Sequence, residues 1–223
     1  MAGDKSFAKT ATALAAIGRA FYARGWALGT SGNFSAVVSR RPLRLAITAS
    51  SLAKGSLRAT DILECDDRGR VVGRRGGKPS AETLLHVEIA RLRGAGAVLH
   101  THSVWSTMLS GQARAGQPGI VIEGYEMLKG LAGVTTHEHQ EVVPVIDNDQ
   151  DMTRLALRVR GLLAQHPGAH AFLLRRHGLY TWGDTLADAE RHVEILEFLF
   201  ETIGRTQARA GTAAMPGGPS WPS

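Results

Sequence analysis

Cysteine is nearly missing: Cys65 is the only one in 223 residues. A disulfide framework is therefore excluded, and a reducing compartment, the cytoplasm, is expected. Long apolar runs are missing too. No stretch approaches the roughly 18 apolar residues a membrane-spanning helix needs, so no membrane partner is expected. The N-terminal MAGDKSFAKT lacks the basic, apolar and cleavage-site layout of an export signal. There is no GxxxxGK[ST] loop, and no GxGxxG follows a strand, so neither of these phosphate-binding fingerprints is present. The net charge of +6 permits nucleic-acid binding, but the arginines are scattered. Their dense pairs are Arg40-Arg41, Arg74-Arg75 and Arg175-Arg176. Without a basic helix or an aromatic-studded sheet motif, no nucleic-acid partner is expected. A basic balance equally suits a small anionic substrate, through electrostatic steering.

What is present reads as one globular domain. The length can bury a core without staples, and 43% hydrophobic with 21% charged residues is ordinary for such a domain. Phe7, Leu14, Ile17, Phe21 and Tyr22 share one face of a helix over 5–24, which Gly25 is placed to end. Strands are predicted at 35–39 after the turn GTSGNFS (29–35), at 43–48, on both sides of the turn DDRG (66–69), and at 97–102. A strand over 142–146 contains Pro144 and so belongs at an edge or an end. A strand over 171–175 leads to His177-Gly178, and 179–182 follows. Helices are predicted over 80–94, with Ser80 as N-cap after Pro79, from Ser103, over 150–165 and over 184–207. The tail, 210–223, is rich in Gly, Pro and Ser and is expected to be disordered. The domain is placed at 1–209. Short turns between successive strands imply an α/β fold with a mostly antiparallel sheet.

The chemistry-bearing residues fall into three groups. His100 and His102, in AVLHTHSVWS (97–106), are spaced i,i+2, which places both rings on one face of a strand. That suits a divalent cation, and equally a pair of hydrogen-bonded strand histidines. His177 sits before a glycine that lets another group approach, and three histidines with an open fourth position suit a catalytic zinc ion. A turn-capping role is the alternative for His177. His137 and His139 repeat the His-x-His spacing in a polar stretch with no apolar strand before them and read as loop residues, where metal binding is less expected. Of the carboxylates, Glu82 falls in a helical first turn, where the helix dipole favours it. Glu126 is spaced i,i+3 from Lys129, as a surface ion pair would be. The turns with Ser31, Asn33, Ser50, Ser51 and Ser80 offer hydroxyls and backbone N–H groups that can form anion nests, or simply turns.

Taken in order, GTSGNFS, ITASS, KPSAE, GAGAVLHTH and RRHGLYTWG resemble the class II aldolase/adducin family over about residues 7–205. The resemblance implies a single three-layer α/β/α domain with a central, mostly antiparallel sheet. It implies one zinc ion per subunit held by His100, His102 and His177, and a sugar-phosphate substrate whose phosphate is held by Ser31, Asn33, Ser50, Ser51 and Ser80. It also implies a homo-oligomer, with a tetramer favoured and the site near a subunit boundary. The block EMLKG (126–130) is similar to the dehydratase branch of the family, which implies a lyase with Glu126 as the catalytic acid–base and Glu82 second. Alternatives on the same scaffold are a sugar-phosphate aldolase or a pentulose-phosphate 4-epimerase. An adducin-head-like interaction module is disfavoured by the intact histidine triad.

Overall fold

A computed structural model describes residues 2–72, 76–113 and 119–213. Five helices, α1 (Ala2–Ala23), α2 (Thr83–Arg93), α3 (Val104–Gln112), α4 (Met152–Gln165) and α5 (Leu186–Ala213), surround the strands. The main sheet takes β1 (Asn33–Arg40), β2 (Leu43–Thr48), β3 (Ile62–Asp66), β4 (Ala97–Thr101), β7 (Val145–Ile146), β8 (Ala171–Leu174) and β9 (Gly178–Gly183). Its order is β3-β2-β1-β4-β9-β8-β7. Every pair is antiparallel except β7 with β8. The remaining strands, β5 (Ile120–Ile122) and β6 (Glu141–Val143), form a separate pair.

Strand alternation builds the three layers. Phe34, Ala36, Ala97 and Leu99 face α1 and the start of α5, where they meet Leu14, Ile17, Phe21, Ala189 and Val193. Val98, Phe172, Leu174, Tyr180 and Trp182 point the other way, onto Leu85 and Ile89 of α2 and Leu155 and Val159 of α4. Side chains one residue apart on a strand must face opposite layers. The short runs AVLHT and AFLL, apolar on both faces, therefore sit in the sheet interior. Among the described residues no helix is long and apolar enough to cross a membrane.

Several expected boundaries move. α2 starts at Thr83 rather than at 80, and Glu82 rather than Ser80 precedes it. Pro79 bridges to Ala49, and the Ser80 carbonyl instead accepts from the Thr83 N–H, so Ser80 belongs to a turn. The strand expected over 142–146 divides at Pro144 into β6 and β7, which join different sheets. Pro144 has no N–H to continue a ladder, and its carbonyl takes the Leu173 N–H. The strand expected after DDRG reduces to one bridge at Val71. α5 continues through 210–213, where a disordered tail is expected. The rest of that tail, 214–223, and the Arg74-Arg75 pair lie outside the described residues.

Candidate active site at the sheet end

β4 carries His100 in the ladder, opposite Asn33 of β1 and Tyr180 of β9. The strand ends at Thr101, so His102 lies just beyond it, where its N–H bonds the Trp26 carbonyl at 2.7 Å. His177 is not at a strand end as expected. β8 stops at Leu174, and His177 closes the tight turn into β9, its N–H on the Leu174 carbonyl. Gly178 then lets β9 press against β4: a Cβ there would collide with the Thr101 carbonyl oxygen. Gly32 does the same for the loop before β1, where a Cβ would lie 2.8 Å from the His100 carbonyl oxygen. These two close approaches set the three histidines side by side.

Their Nε2 atoms converge. His102 to His100 is 2.7 Å, His177 to His102 3.1 Å and His100 to His177 3.4 Å. His100 Nδ1–H donates to the Leu179 carbonyl at 2.8 Å, which leaves its Nε2 with a bare lone pair. Burial, reinforced by the neighbouring histidines, holds His100 well below its ordinary pKa, and burial pulls His102 down to about 3. His177 is lowered by burial, with the Glu82 charge opposing. Neutral imidazoles aimed at one point repel one another unless a cation lies between them. The donor set therefore fits a metal ion. Glu82 belongs to the same cluster: its carboxylate oxygens lie 3.6 Å from His100 Nε2 and 3.6 Å from His177 Nε2.

A buried relay aims Glu82. Asn33 Nδ2 donates to Glu82 Oε2 at 2.6 Å. The Asn33 carbonyl oxygen takes the His86 Nε2–H, and His86 Nδ1 receives the Ser35 hydroxyl at 2.7 Å. Burial lowers His86 to about 3, so it is neutral and can donate on one side while accepting on the other. The Asn33 amide is thus committed at both ends.

The cavity in front of these groups, of about 290 Å³, is lined by Ser31, Asn33, Ser50, Ser51, Ser80, Glu82, His102 and His177. His100 closes it from behind, fully buried. The three hydroxyl turns are stitched together by the fold. Ala49 bridges Pro79, and the Ser50 N–H reaches the Lys78 carbonyl. Ser51 holds a left-handed φ of 62°, unusual for a side-chain-bearing residue. Lys54, 1% exposed, donates from Nζ to the Thr30 and Leu52 carbonyls at 3.0 and 2.9 Å and also lines the cavity. Burial lowers it to about 8, which leaves it mostly protonated at neutral pH. Hydroxyls and a buried ammonium thus line the cavity beside the histidine cluster, a chemistry suited to receiving an anion.

Glu126 lies elsewhere. It opens a 3₁₀ turn (Glu126–Gly130), is 72% exposed, and pairs with Lys129 at 2.7 Å and His137 at 3.8 Å. Within one chain it does not line the cavity. Residues that sequence reasoning passes over are His86, Lys54 and Tyr180, whose ring stacks on His100 with centroids 3.9 Å apart. His86 follows Glu82 by one helical turn, which is the available signal. Lys54 offers none, since its partners are set by loop crossing.

The model of the class II aldolase and adducin N-terminal domain matches residues 12–203. The methylthioribulose-1-phosphate dehydratase of Methylococcus capsulatus is 49% identical over 199 residues, covering 89% of this chain and 94% of that protein. The protein of the same name from Marinobacter nauticus is 47% identical over 196 residues, covering 87% and 92%. Among solved structures, the L-fuculose-1-phosphate aldolase of Thermus thermophilus superposes with a TM-score of 0.70 at 25% identity, covering 92% of this chain and 98% of that one. The fold agrees with these likenesses, and the chain belongs to the class II aldolase and adducin N-terminal domain family.

Proposed function

We propose that the chain dehydrates 5-methylthioribulose 1-phosphate to 5-methylthio-2,3-dioxopentyl 1-phosphate and water, a step of methionine salvage. The observation that carries this reading is the meeting, in one cavity, of a cation-fitting histidine triad with an anion pocket. The chain that builds it is about half identical to proteins named for that activity. Zinc suits the triad, since three imidazoles leave the ion its full positive charge. When bound by His100, His102 and His177 it would supply Lewis-acid stabilisation of charge developing on the substrate oxygens.

The chain's own groups do the rest. Lys54 and the hydroxyls of Ser31, Ser50, Ser51 and Ser80 grip the phosphate, which fixes the sugar carbons relative to the carboxylates. A carboxylate removes the proton at C3, α to the ketone, and returns a proton to the C4 hydroxyl as it leaves. Asn33 keeps Glu82 turned to the histidines, and it also lines the cavity with the phosphate-gripping serines. Glu126 keeps the acid–base role only as a contribution from a second copy, so the proposal includes an oligomer, with a tetramer favoured.

Incubating purified, metal-loaded protein with 5-methylthioribulose 1-phosphate and resolving products by mass tests the reading. A single product lighter by one water, with the carbon chain intact, is expected. Two shorter fragments would establish an aldolase instead, and unchanged mass with inverted C4 an epimerase.

A further inference from the structure

At the opposite end of β9, roughly 15 Å along the strand from His177, a second set of ligating side chains meets. His139 lies in the loop before β6, Glu141 opens β6, and His170 immediately precedes β8. Their ligand atoms all lie within 4.8 Å of one another. Glu141 is only 1% exposed. Its Oε2 takes His139 Nε2 and His170 Nδ1, each at 2.9 Å, while Oε1 takes the His170 backbone N–H at 3.0 Å. Two imidazole nitrogens from separate segments thus converge on one oxygen of a buried carboxylate.

The surroundings add a second, independent observation. His170 Nε2 donates to the Ala132 carbonyl at 2.8 Å, as His100 Nδ1 does to Leu179 in the triad. The Ala132 carbonyl fixes the ring so that Nδ1, protonated toward Glu141 without an ion, is the nitrogen aimed at the cluster. His139 and His170 also line a cavity of about 500 Å³, which gives an ion access and leaves room for further ligands. Arg93 borders that cavity, but its guanidinium is committed to the Pro167 and His166 carbonyls.

We propose that His139, Glu141 and His170 form a second divalent-cation site, separate from the triad, for a borderline transition ion of the zinc type. Its ligands are His139 Nε2, the Glu141 carboxylate and His170 Nδ1, with the remaining positions open to the cavity. On binding, the His170 Nδ1 proton leaves to solvent and His139 moves its ring proton from Nε2 to Nδ1. Bonds from the three ligand atoms to the ion replace the two N–H···O bonds. Through Ala132, whose carbonyl bonds His170 and whose N–H bonds His192 at 3.1 Å, the site clamps the segment that follows the Glu126 turn. This inference does not depend on which sugar phosphate the enzyme takes.

Cobalt(II) is the probe. Chelator-stripped wild-type protein is dialysed against Co²⁺, and retained metal is measured by elemental analysis beside the visible d–d spectrum. About two ions per chain are expected, against about one for His139→Ala. His102→Ala should lose the triad ion and keep the other. His139→Gln is the second variant, since an amide preserves a hydrogen bond to Glu141 if the alanine variant does not fold. One ion per chain in the wild type, or equal metal in wild type and both His139 variants, would overturn the site and leave Glu141 as a proton-bridged ion cluster only.

Discussion

Lys54 shows how much one buried side chain decides. Its ammonium ties the GTSGN turn to the TASS turn and adds the cavity's cation. Lys54→Met should raise KM for the phosphorylated substrate by roughly 10- to 100-fold, the worth of a charge-assisted hydrogen bond, with a smaller fall in kcat. Inhibition by inorganic phosphate should weaken in parallel, and Lys54→Arg should recover part of the loss. An unchanged KM and phosphate inhibition constant in a folded Lys54→Met would remove it from the anion pocket. Glu197 is a different case. It accepts from the Thr101 hydroxyl at 2.7 Å, and burial raises its carboxyl from 4.5 to about 7. Its protonated form is favoured in the folded state. The stability this gives is present below about pH 4.5 and is lost as pH rises through about 7. The loss is on the order of 3 kcal/mol. Glu197→Gln removes that titration, so urea melts of the variant should weaken less than the wild type between pH 5 and 8. Parallel pH profiles would refute the assignment.

Among the elements, the β4–β9 contact holds the site. His100 and His177 sit on two chain segments whose backbones meet where Gly178 has no Cβ. Gly178→Ala must push β9 from the Thr101 carbonyl, so it should cost several kcal/mol, at the upper end for single substitutions. It should also lower metal retention at the triad, checked by thermal melts and elemental analysis. Wild-type values on both would mean the strands part without cost. The elements are legible in the sequence where periodicity is strong, as in α1, α4 and α5, and less so where single residues compete. Pro144 splits a strand, and Pro79 delays α2 to Thr83. The turn of His177 reads as a strand end because Arg175 and Arg176 carry no turn signal, although Arg176 adopts a φ of 54°.

For the whole molecule, the proposed role of Glu126 is tied to the proposed oligomer, since within one chain Glu126 lies off the cavity. Val104 and Met108, one turn apart on α3 directly after His102, are 61% and 48% exposed. That is the kind of apolar surface a subunit contact covers. If Glu126 acts from a neighbouring copy, Glu82→Gln and Glu126→Gln homo-oligomers should each be nearly inactive. Refolding them together should restore activity at roughly a quarter of the sites, those pairing an intact Glu82 with a neighbour's intact Glu126. No gain over the separate variants would place both carboxylates' roles within one chain, or remove one of them.

The sequence alone determined the α/β class and the family, and through the family resemblance it grouped His100, His102 and His177, because the order of motifs is a local property of the chain. It also flagged every serine that lines the cavity. The tertiary structure decided what those residues face. It gave the Asn33 amide to Glu82 and His86, put Lys54 between two loops and left Glu126 outside the cavity. It also brought His139, Glu141 and His170 together from either side of α4. Hydrogen bonds and metal ligation act over about 2 to 3.5 Å. Such distances between residues dozens of positions apart are set by how strands cross and where a glycine lets two backbones touch.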